Sequence, residues 1–238
     1  MAIGIAGVAL AALAVAAGTP QVGVIYQDNF SGSSSAPLKG AAPTVHNGTD
    51  ATWTADAVWK ANGSVDESPS NSASYGNAYL SFKPTSGHIY TLSEKVNATA
   101  NAPGTTNSWI GLGFVTSETL GQPFYENAGP FILDYVPNSG SQIVTYTGPG
   151  LTGPHGYPYP RTGEQHLRMV LDTRGVRWTV RFSDNGKALG PVYSYTTNPE
   201  IVAVSFGTSS ATGTVAAFGL TSATVPGPTT RGSGIANK

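Results

Sequence analysis

The chain has 238 residues, of which 39% are hydrophobic and 11% are charged, and it contains 30 glycines and 17 prolines. Average soluble proteins contain about 25% charged residues, and helix interiors favour Ala, Leu, Glu and Lys, so this composition favours short strands joined by turns. The net charge of −1 gives no electrostatic signature of nucleic-acid binding or of attraction to an anionic membrane. The absence of cysteine excludes disulfides, thiol nucleophiles and cysteine metal sites.

The N-terminal segment, residues 1–19, differs in character from the rest of the chain. Residues 3–17 are an uncharged apolar run, and Ala14-Val15-Ala16 has the small-x-small pattern of a signal-peptide cleavage site. No Lys or Arg precedes the run, and a retained apolar segment that serves as an anchor or an assembly element is the alternative interpretation. Because a spanning helix needs roughly 20 residues, we predict no membrane span in the mature domain. A signal peptide predicts a protein that is secreted or lies at the cell surface.

Strand signals follow in chain order, with β-rich or alternating segments at residues 22–30, 52–57, 58–61, 78–84, 88–96, 108–116, 131–136, 142–146, 167–172, 176–182, 191–195, 201–206 and 215–221. Residues 176–182 alternate apolar and basic side chains, and Asn185-Gly186 after them is the strongest short signal for a hairpin turn. Roughly 12 to 14 strands without an intervening helix predict an all-β, antiparallel two-sheet sandwich over residues 20–224. Residues 225–238 are predicted to be a disordered polar tail.

Short motifs along most of this span carry a resemblance to a known group of proteins: Asp28-Asn29-Phe30-Ser31-Gly32, Ala51-Thr52-Trp53, Trp109-Ile110-Gly111-Leu112-Gly113-Phe114, Val170-Leu171-Asp172-Thr173 and Thr197-Asn198-Pro199. The chain resembles secreted bacterial proteins with a concanavalin A-like (LamG-like) jelly-roll domain, which often carry a PEP-CTERM sorting tail. The resemblance implies an exported two-sheet sandwich, of a fold that includes lectins, glycan-binding modules, glucanases and structural domains. The tail departs from the pattern, because Val225-Pro226 is followed by no Pro-Glu-Pro, apolar helix or basic cluster.

Catalytic motifs are absent from the sequence. Glucanases of this fold use paired carboxylates, often spaced as Glu-x-Asp-x-x-Glu, and no such run occurs here. Gly-x-Ser-x-Gly and His-Glu-x-x-His are also missing. The sequence therefore predicts a non-catalytic protein. A diverged glycoside hydrolase, in which Glu126 and Asp134 would meet across a cleft, remains an alternative.

Aromatic side chains provide the first candidate glycan site, because aromatic rings stack on the apolar faces of sugars. In the strand at 108–116, Trp109 shares its face with Gly111 and Gly113, which would leave room for a ligand. Tyr157 and Tyr159 alternate with prolines in a rigid loop and would form a binding lip. In the alternative interpretation, Trp109 belongs to the core and the two tyrosines pack the loop onto the sandwich edge.

Arginines provide the second candidate. Arg168, Arg177 and Arg181 would share one polar sheet face, in a hairpin register that places Arg168 near Thr179. Together with Asp134 and Asp172 they would form a polar binding groove for a glycan. A solvated outer face is the alternative interpretation of the same pattern.

Asp28 and Asn29, beside the first strand, are candidate ligands for a structural calcium ion, since Ca²⁺ prefers carboxylate and amide oxygens. A turn cap is the alternative role for Asp28. Two functional hypotheses remain open. One is a carbohydrate-binding or adhesive protein at a cell surface or matrix, and the other is a self-assembling structural subunit of a surface layer, filament or particle coat.

Overall fold

A computed structural model describes residues 20–47, 51–65, 75–100, 108–122, 128–136, 142–148, 155–158 and 163–224. The predicted signal segment 1–19 and polar tail 225–238 lie outside these residues. Among the residues that the structure describes, none forms a helix long and apolar enough to cross a membrane.

The described residues form strands β1 to β15. In chain order they are β1 Gln21–Asp28, β2 Val45–His46, β3 Thr54–Ala55, β4 Ser64–Val65, β5 Tyr75–Ser81, β6 His88–Ala100, β7 Trp109–Val115, β8 Ala128–Tyr135, β9 Gln142–Tyr146, β10 His155–Pro158, β11 Gln165–Asp172, β12 Thr179–Asp184, β13 Lys187–Ser194, β14 Ala203–Ser209 and β15 Ala211–Thr224.

Two antiparallel sheets stack face to face. The eight-stranded sheet has the order β13-β12-β11-β6-β15-β1-β2, with β4 paired to β15, and the seven-stranded sheet has the order β10-β9-β8-β7-β14-β5-β3. Neighbouring strands in space are often distant in sequence, as when β14 inserts between β5 and β7. The predicted all-β, two-sheet jelly-roll architecture is confirmed.

An apolar layer between the sheets forms the main core. β11 shows how the sequence builds it: Leu167, Met169 and Leu171 point inward and are fully buried, whereas His166 and Arg168, in the opposite phase, are exposed. This alternation follows from the period of two along a strand. One face of the eight-stranded sheet thus seals the core and the other is open to solvent.

A cluster of aromatic rings fills one part of this layer. Trp53, Trp59, Phe206 and Phe218 are all buried and meet edge to face, with centroids 4.6 to 5.7 Å apart. Edge-to-face pairs add to the energy of burial because the positive edge of one ring meets the negative face of the next. The cluster therefore holds the two sheets together at β14 and β15.

In the β11–β12–β13 meander, the predicted turn between β12 and β13 is present, but β12 begins later than predicted. Asn185 and Gly186 have φ values of 48° and 78°, as a type I′ hairpin turn requires. The predicted strand 176–182 was wrong at its beginning, because β12 starts at Thr179 and Val176 is 96% exposed. Asp172 holds residue 174 in a turn by accepting hydrogen bonds from the Arg174 backbone N–H and guanidinium.

The pairing register differs from the predicted one as well. Arg168 lies opposite Ser183, and Thr179 lies opposite Asp172 instead of near Arg168. The connection from Asp172 to Thr179 sets this register, since these two residues are paired at the ends of β11 and β12. Arg168 is consequently diagonal to Arg181 on the outer face of the sheet.

Candidate functional site

The residues predicted to bind a ligand occupy four separate places. Trp109 lies on the outer face of the seven-stranded sheet, and Asp134 points into the layer between the sheets. Tyr157 lies at the side of the sandwich. Arg168 is on the outer face of the eight-stranded sheet, and Arg177 lies in the adjoining turn. The two arginines line separate depressions on this part of the sheet.

Trp109 is part of a second apolar cluster that comprises Tyr79, Trp109, Val115, Phe131, Leu133, Val144 and Ala203. Its side chain is only 2% exposed. The open face predicted beside Trp109 is corrected, because Leu133 packs over Gly111, and a Cβ at Gly111 would lie 2.7 Å from the Ile132 carbonyl oxygen. The glycine admits a neighbouring side chain of the same sheet, and Trp109 is buried in that packing.

Asp134 faces the interior and not the arginines, which corrects the predicted groove that contained it. Its side chain is fully buried, as is that of Glu94 on β6. Burial raises the pKa of Glu94 well above its usual value, and the nearby charge of Asp134 raises it further. Neither oxygen of Glu94 has a hydrogen-bond partner in the structure. These two carboxyl groups share the core and have no access to a substrate.

Tyr157 closes the side of the sandwich where β10 and β13 approach each other. Its ring is half-buried against the main core, and its hydroxyl lies 3.4 Å from that of Tyr193. Burial, together with the Tyr157 hydroxyl, raises the pKa of Tyr193 to about 12. Tyr157 therefore packs the sandwich edge in place of forming the predicted lip, and Tyr159 lies outside the described residues.

A groove of about 480 Å³ runs over the outer face of the eight-stranded sheet. We call it the arginine groove, and the residues that define it are Ile89, Thr91, Arg168, Val170, Arg181 and Pro191. Thr91, Val170 and Arg181 form one row across three strands, because Val170 pairs with both of the others. Arg168 is diagonal to Arg181, at the roughly 7–8 Å that separates such neighbours. The groove thus has an aliphatic floor and two guanidinium groups.

A β-bulge builds the wall of the arginine groove. Val180 pairs with Tyr193 and Phe182 with Leu189, so Arg181 alone lies opposite Gly190, Pro191 and Val192. Gly190 has a φ of 71°, and a Cβ there would meet the Tyr157 and Tyr193 hydroxyls. The extra residues bend β13 over the sheet. Tyr157 therefore supports the groove from behind.

The charge of this face is not balanced. Both carboxylates beside the groove are already ion-paired, Glu164 to Lys95 at 3.0 Å and Asp172 to Arg174 at 2.7 Å. The hydrogen bond from Arg174 lowers the pKa of Asp172, and Arg181 adds a smaller contribution. Within the described part of the chain, Arg168, Arg177 and Arg181 make no hydrogen bond or ion pair through their side chains, so the face keeps an excess of positive charge.

Sequence reasoning named Arg181 as a neighbour of Arg168 but missed the bulge that makes the groove. Gly190-Pro191 was the sequence evidence for the bulge, since these two residue types occur within a sheet mainly on edge strands or at bulges. Arg177 shares a shallower depression with Asp172, Arg174, Gly175 and Thr179.

Asp28 and Asn29 do not fit the predicted calcium site. Asp28 Oδ2 accepts a hydrogen bond from Trp53 Nε1–H at 2.7 Å, and Oδ1 accepts one from the Phe30 N–H at 2.9 Å. Asn29 Oδ1 accepts a hydrogen bond from the Thr44 hydroxyl. The hydrogen bond from the Phe30 N–H gives Asp28 the turn-capping role that was its alternative prediction. In the described ranges, no three His, Asp or Glu side chains are grouped closely enough to hold a metal ion.

Known proteins share the fold of this chain. No protein-family model and no curated protein matches its sequence. The metal-free exoplasmic/lumenal domain of VIP36 has a TM-score of 0.52 at 10% identity, over 87% of this chain and 95% of that one. An endo-1,3-beta-glucanase from Streptomyces sioyaensis has a TM-score of 0.51 at 13% identity, over 86% and 97%. Lectin II from Ulex europaeus aligns at 0.43 and 13% identity, over 75% and 94%.

Together with the two antiparallel sheets, the first two likenesses show that the chain has the concanavalin A-like jelly-roll fold of lectins and glucanases. At these identities the likeness defines the fold and leaves the ligand to be argued from the site.

Proposed function

We propose that this protein is an exported, non-catalytic β-sandwich that binds carbohydrate in the arginine groove. The observation that carries the proposal is the groove itself, in which guanidinium and hydroxyl donors surround an aliphatic floor of Val170 and Ile89. Sugars present hydroxyl groups and apolar C–H faces together, and a site for them combines polar groups that fix orientation with apolar contact area. Arg177 extends the same polar surface beyond the groove.

The shared fold supports the proposal. The structures that resemble this chain include a glucanase and an exoplasmic/lumenal domain, which act on carbohydrate or lie on the non-cytoplasmic side of a membrane. The apolar run predicted as a signal peptide agrees with export. In the alternative of a diverged glycoside hydrolase, Glu126 would meet Asp134; Asp134 is buried in the core, and Glu126 lies outside the described residues.

A glycan array probed with the full chain tests this function. We expect selective binding that Thr91→Trp abolishes, because an indole at the groove floor fills the space a sugar would occupy. Trp109→Phe is the matched aromatic control on the opposite sheet and is expected to retain binding. Calcium is expected to have no effect, since Asp28 and Asn29 are engaged within the protein.

Three results would contradict parts of this proposal. Absence of binding to any glycan, with and without calcium, would overturn the carbohydrate-binding function. Binding that survives Thr91→Trp but is lost in Trp109→Phe would move the site to the seven-stranded sheet. Binding that requires calcium would show that a calcium ion takes part in the binding site.

A structural subunit is the second candidate function, and an exposed apolar patch favours it. Val22, Val24 and Val45 are 69%, 39% and 42% exposed on the adjacent strands β1 and β2. Since β2 ends the eight-stranded sheet, these valines lie at an edge where another copy could pair. If the chain assembles, light scattering will detect growth with concentration that Val45→Lys abolishes, whereas a constant monomer mass would exclude this function.

A further inference from the structure

We infer that the arginine groove selects carbohydrates that carry a carboxylate or sulfate group over neutral ones. This inference rests on the proposed function, because it specifies the class of sugar that the groove accepts. It is argued from the charge, the spacing and the surroundings of Arg168 and Arg181.

Among the residues that the structure describes, the guanidinium groups of Arg168 and Arg181 have no hydrogen-bond or ion-pair partner. Both side chains are exposed, and within the described ranges neither makes a hydrogen bond or an ion pair. A guanidinium carries five N–H donors and no acceptor, and it matches carboxylate and sulfate oxygens in bidentate geometry. A neutral hydroxyl would satisfy only part of this capacity.

No carboxylate of the described residues lines the groove beside these donors. Glu164 and Asp172, on the same face, are each paired with another cation, Lys95 and Arg174. Asp172 also attracts Arg181, but this attraction is weaker than the one to Arg174. An anionic ligand would therefore meet two guanidinium groups that form no ion pair within the described part of the chain, and no repulsion from the lining.

The groove also strengthens the electrostatic attraction between its arginines and an anionic ligand. Arg168 lies between Ser93 and Ser183 on neighbouring strands, and Arg181 lies opposite the bulge at Gly190-Pro191. Partial enclosure weakens the screening of charge by water, so an ion pair formed here is stronger than one on a flat surface. The diagonal spacing of roughly 7–8 Å also lets both arginines contact one short oligosaccharide.

Isothermal titration calorimetry on the full chain tests the inference with two matched pairs of ligands. The probes are oligogalacturonate with its fully methyl-esterified form, and sulfated galactan oligosaccharide with its desulfated form. We expect at least one acidic member to bind about tenfold or more tightly than its neutral partner, with an affinity that falls as salt is raised. The pair that shows the difference identifies the anion as carboxylate or sulfate.

Variants assign the effect to the groove. Arg168→Gln and Arg181→Gln are each expected to weaken binding of the acidic sugar about tenfold or more, since each removes charge-assisted hydrogen bonds. Lys39→Gln combined with Lys83→Gln is the control for net charge, because both lysines are exposed and neither lines the groove. This control is expected to bind as the parent does. Thermal unfolding of all variants is expected to be unchanged, since the altered side chains are exposed.

Contrary outcomes separate the two proposals. Equal binding of acidic and neutral partners would overturn the preference for anions and leave carbohydrate binding intact. If the lysine control weakens binding of the acidic sugar as much as the arginine variants do, the preference depends on net charge alone. That result would also overturn the inference. No binding of any of the four sugars, together with a silent glycan array, would overturn the proposed function itself.

Discussion

Replacing Trp53 by phenylalanine is expected to lower the free energy of unfolding by about 3–5 kcal/mol. Trp53 is 1% exposed, and its ring packs against Phe206 and Phe218 with centroids 4.9 and 5.1 Å away. Its Nε1–H donates a hydrogen bond to Asp28, which is also buried. The substitution removes ring volume and leaves a buried carboxylate oxygen without its donor, so the two costs add.

Trp59→Phe is the matched control. Trp59 is equally buried and lies 4.6 Å from Phe206, but its Nε1 has no hydrogen-bond partner in the structure. Its replacement should cost about 1–2 kcal/mol, from lost packing alone. Denaturant unfolding followed by circular dichroism measures both. Equal losses at the two positions would show that the Trp53–Asp28 hydrogen bond contributes nothing.

Glu94→Gln is expected to stabilise the protein increasingly as the pH rises above 4.5, the usual pKa of a glutamate. The pKa of Glu94 is raised in the folded protein, so between 4.5 and that raised value the unfolded chain has released a proton that the folded chain retains. Folding then costs more as the pH rises, by up to about 1.4 kcal/mol per pH unit. Below pH 4.5 both states are protonated, and the two proteins should be equally stable with respect to this group.

The charged groups around Glu94 do not offset this cost. Asp134 faces it from the other sheet and raises its pKa, and Asp184 flanks the same row of the eight-stranded sheet across Leu167. The measurement is the difference in unfolding free energy between parent and variant from pH 4 to 9. Glu164→Gln, on the surface, is the control and should leave the slope unchanged. A difference that does not grow with pH would show that Glu94 titrates normally.

The sequence predicted which side chains of a strand share a face, but it did not predict whether that face is exposed to solvent. In β7 the alternation correctly separated Ile110, Leu112 and Phe114 from Trp109. Alternation states which side chains share a face; it says nothing about what covers that face. Trp109 is buried because the outer face of the seven-stranded sheet has an apolar cluster of its own, formed by residues far apart in the chain.

Asp134 illustrates a second limit. β8 has apolar residues in both phases, with Phe131 and Leu133 on one face and Ile132 beside Asp134 on the other. Because neither set of alternating side chains is polar, the pattern does not show which face of β8 is exposed to solvent, and the burial of Asp134 could not be predicted from it. Its burial beside Glu94 depends on the stacking of the two sheets, which is a tertiary property.

The candidate site depended on pairing that local patterns only partly define. The hairpin turn at Asn185-Gly186 was recognised, but it joins β12 to β13, whereas the diagonal between Arg168 and Arg181 depends on the pairing of β11 with β12. The bulge opposite Arg181 was not recognised, since it exists only when β13 is aligned with β12. A register error of a few residues was enough to place Arg168 beside the wrong partner.

The bulge in β13 has a consequence for aggregation. β13 is the outermost strand of the eight-stranded sheet, where unpaired backbone groups would otherwise template the addition of strands from other molecules. Pro191 has no N–H to offer such a strand, and Gly190 bends the edge out of a straight line. The residues that shape the groove wall thus also protect this edge, so a redesign of the groove that straightens β13 would trade ligand selectivity against solubility.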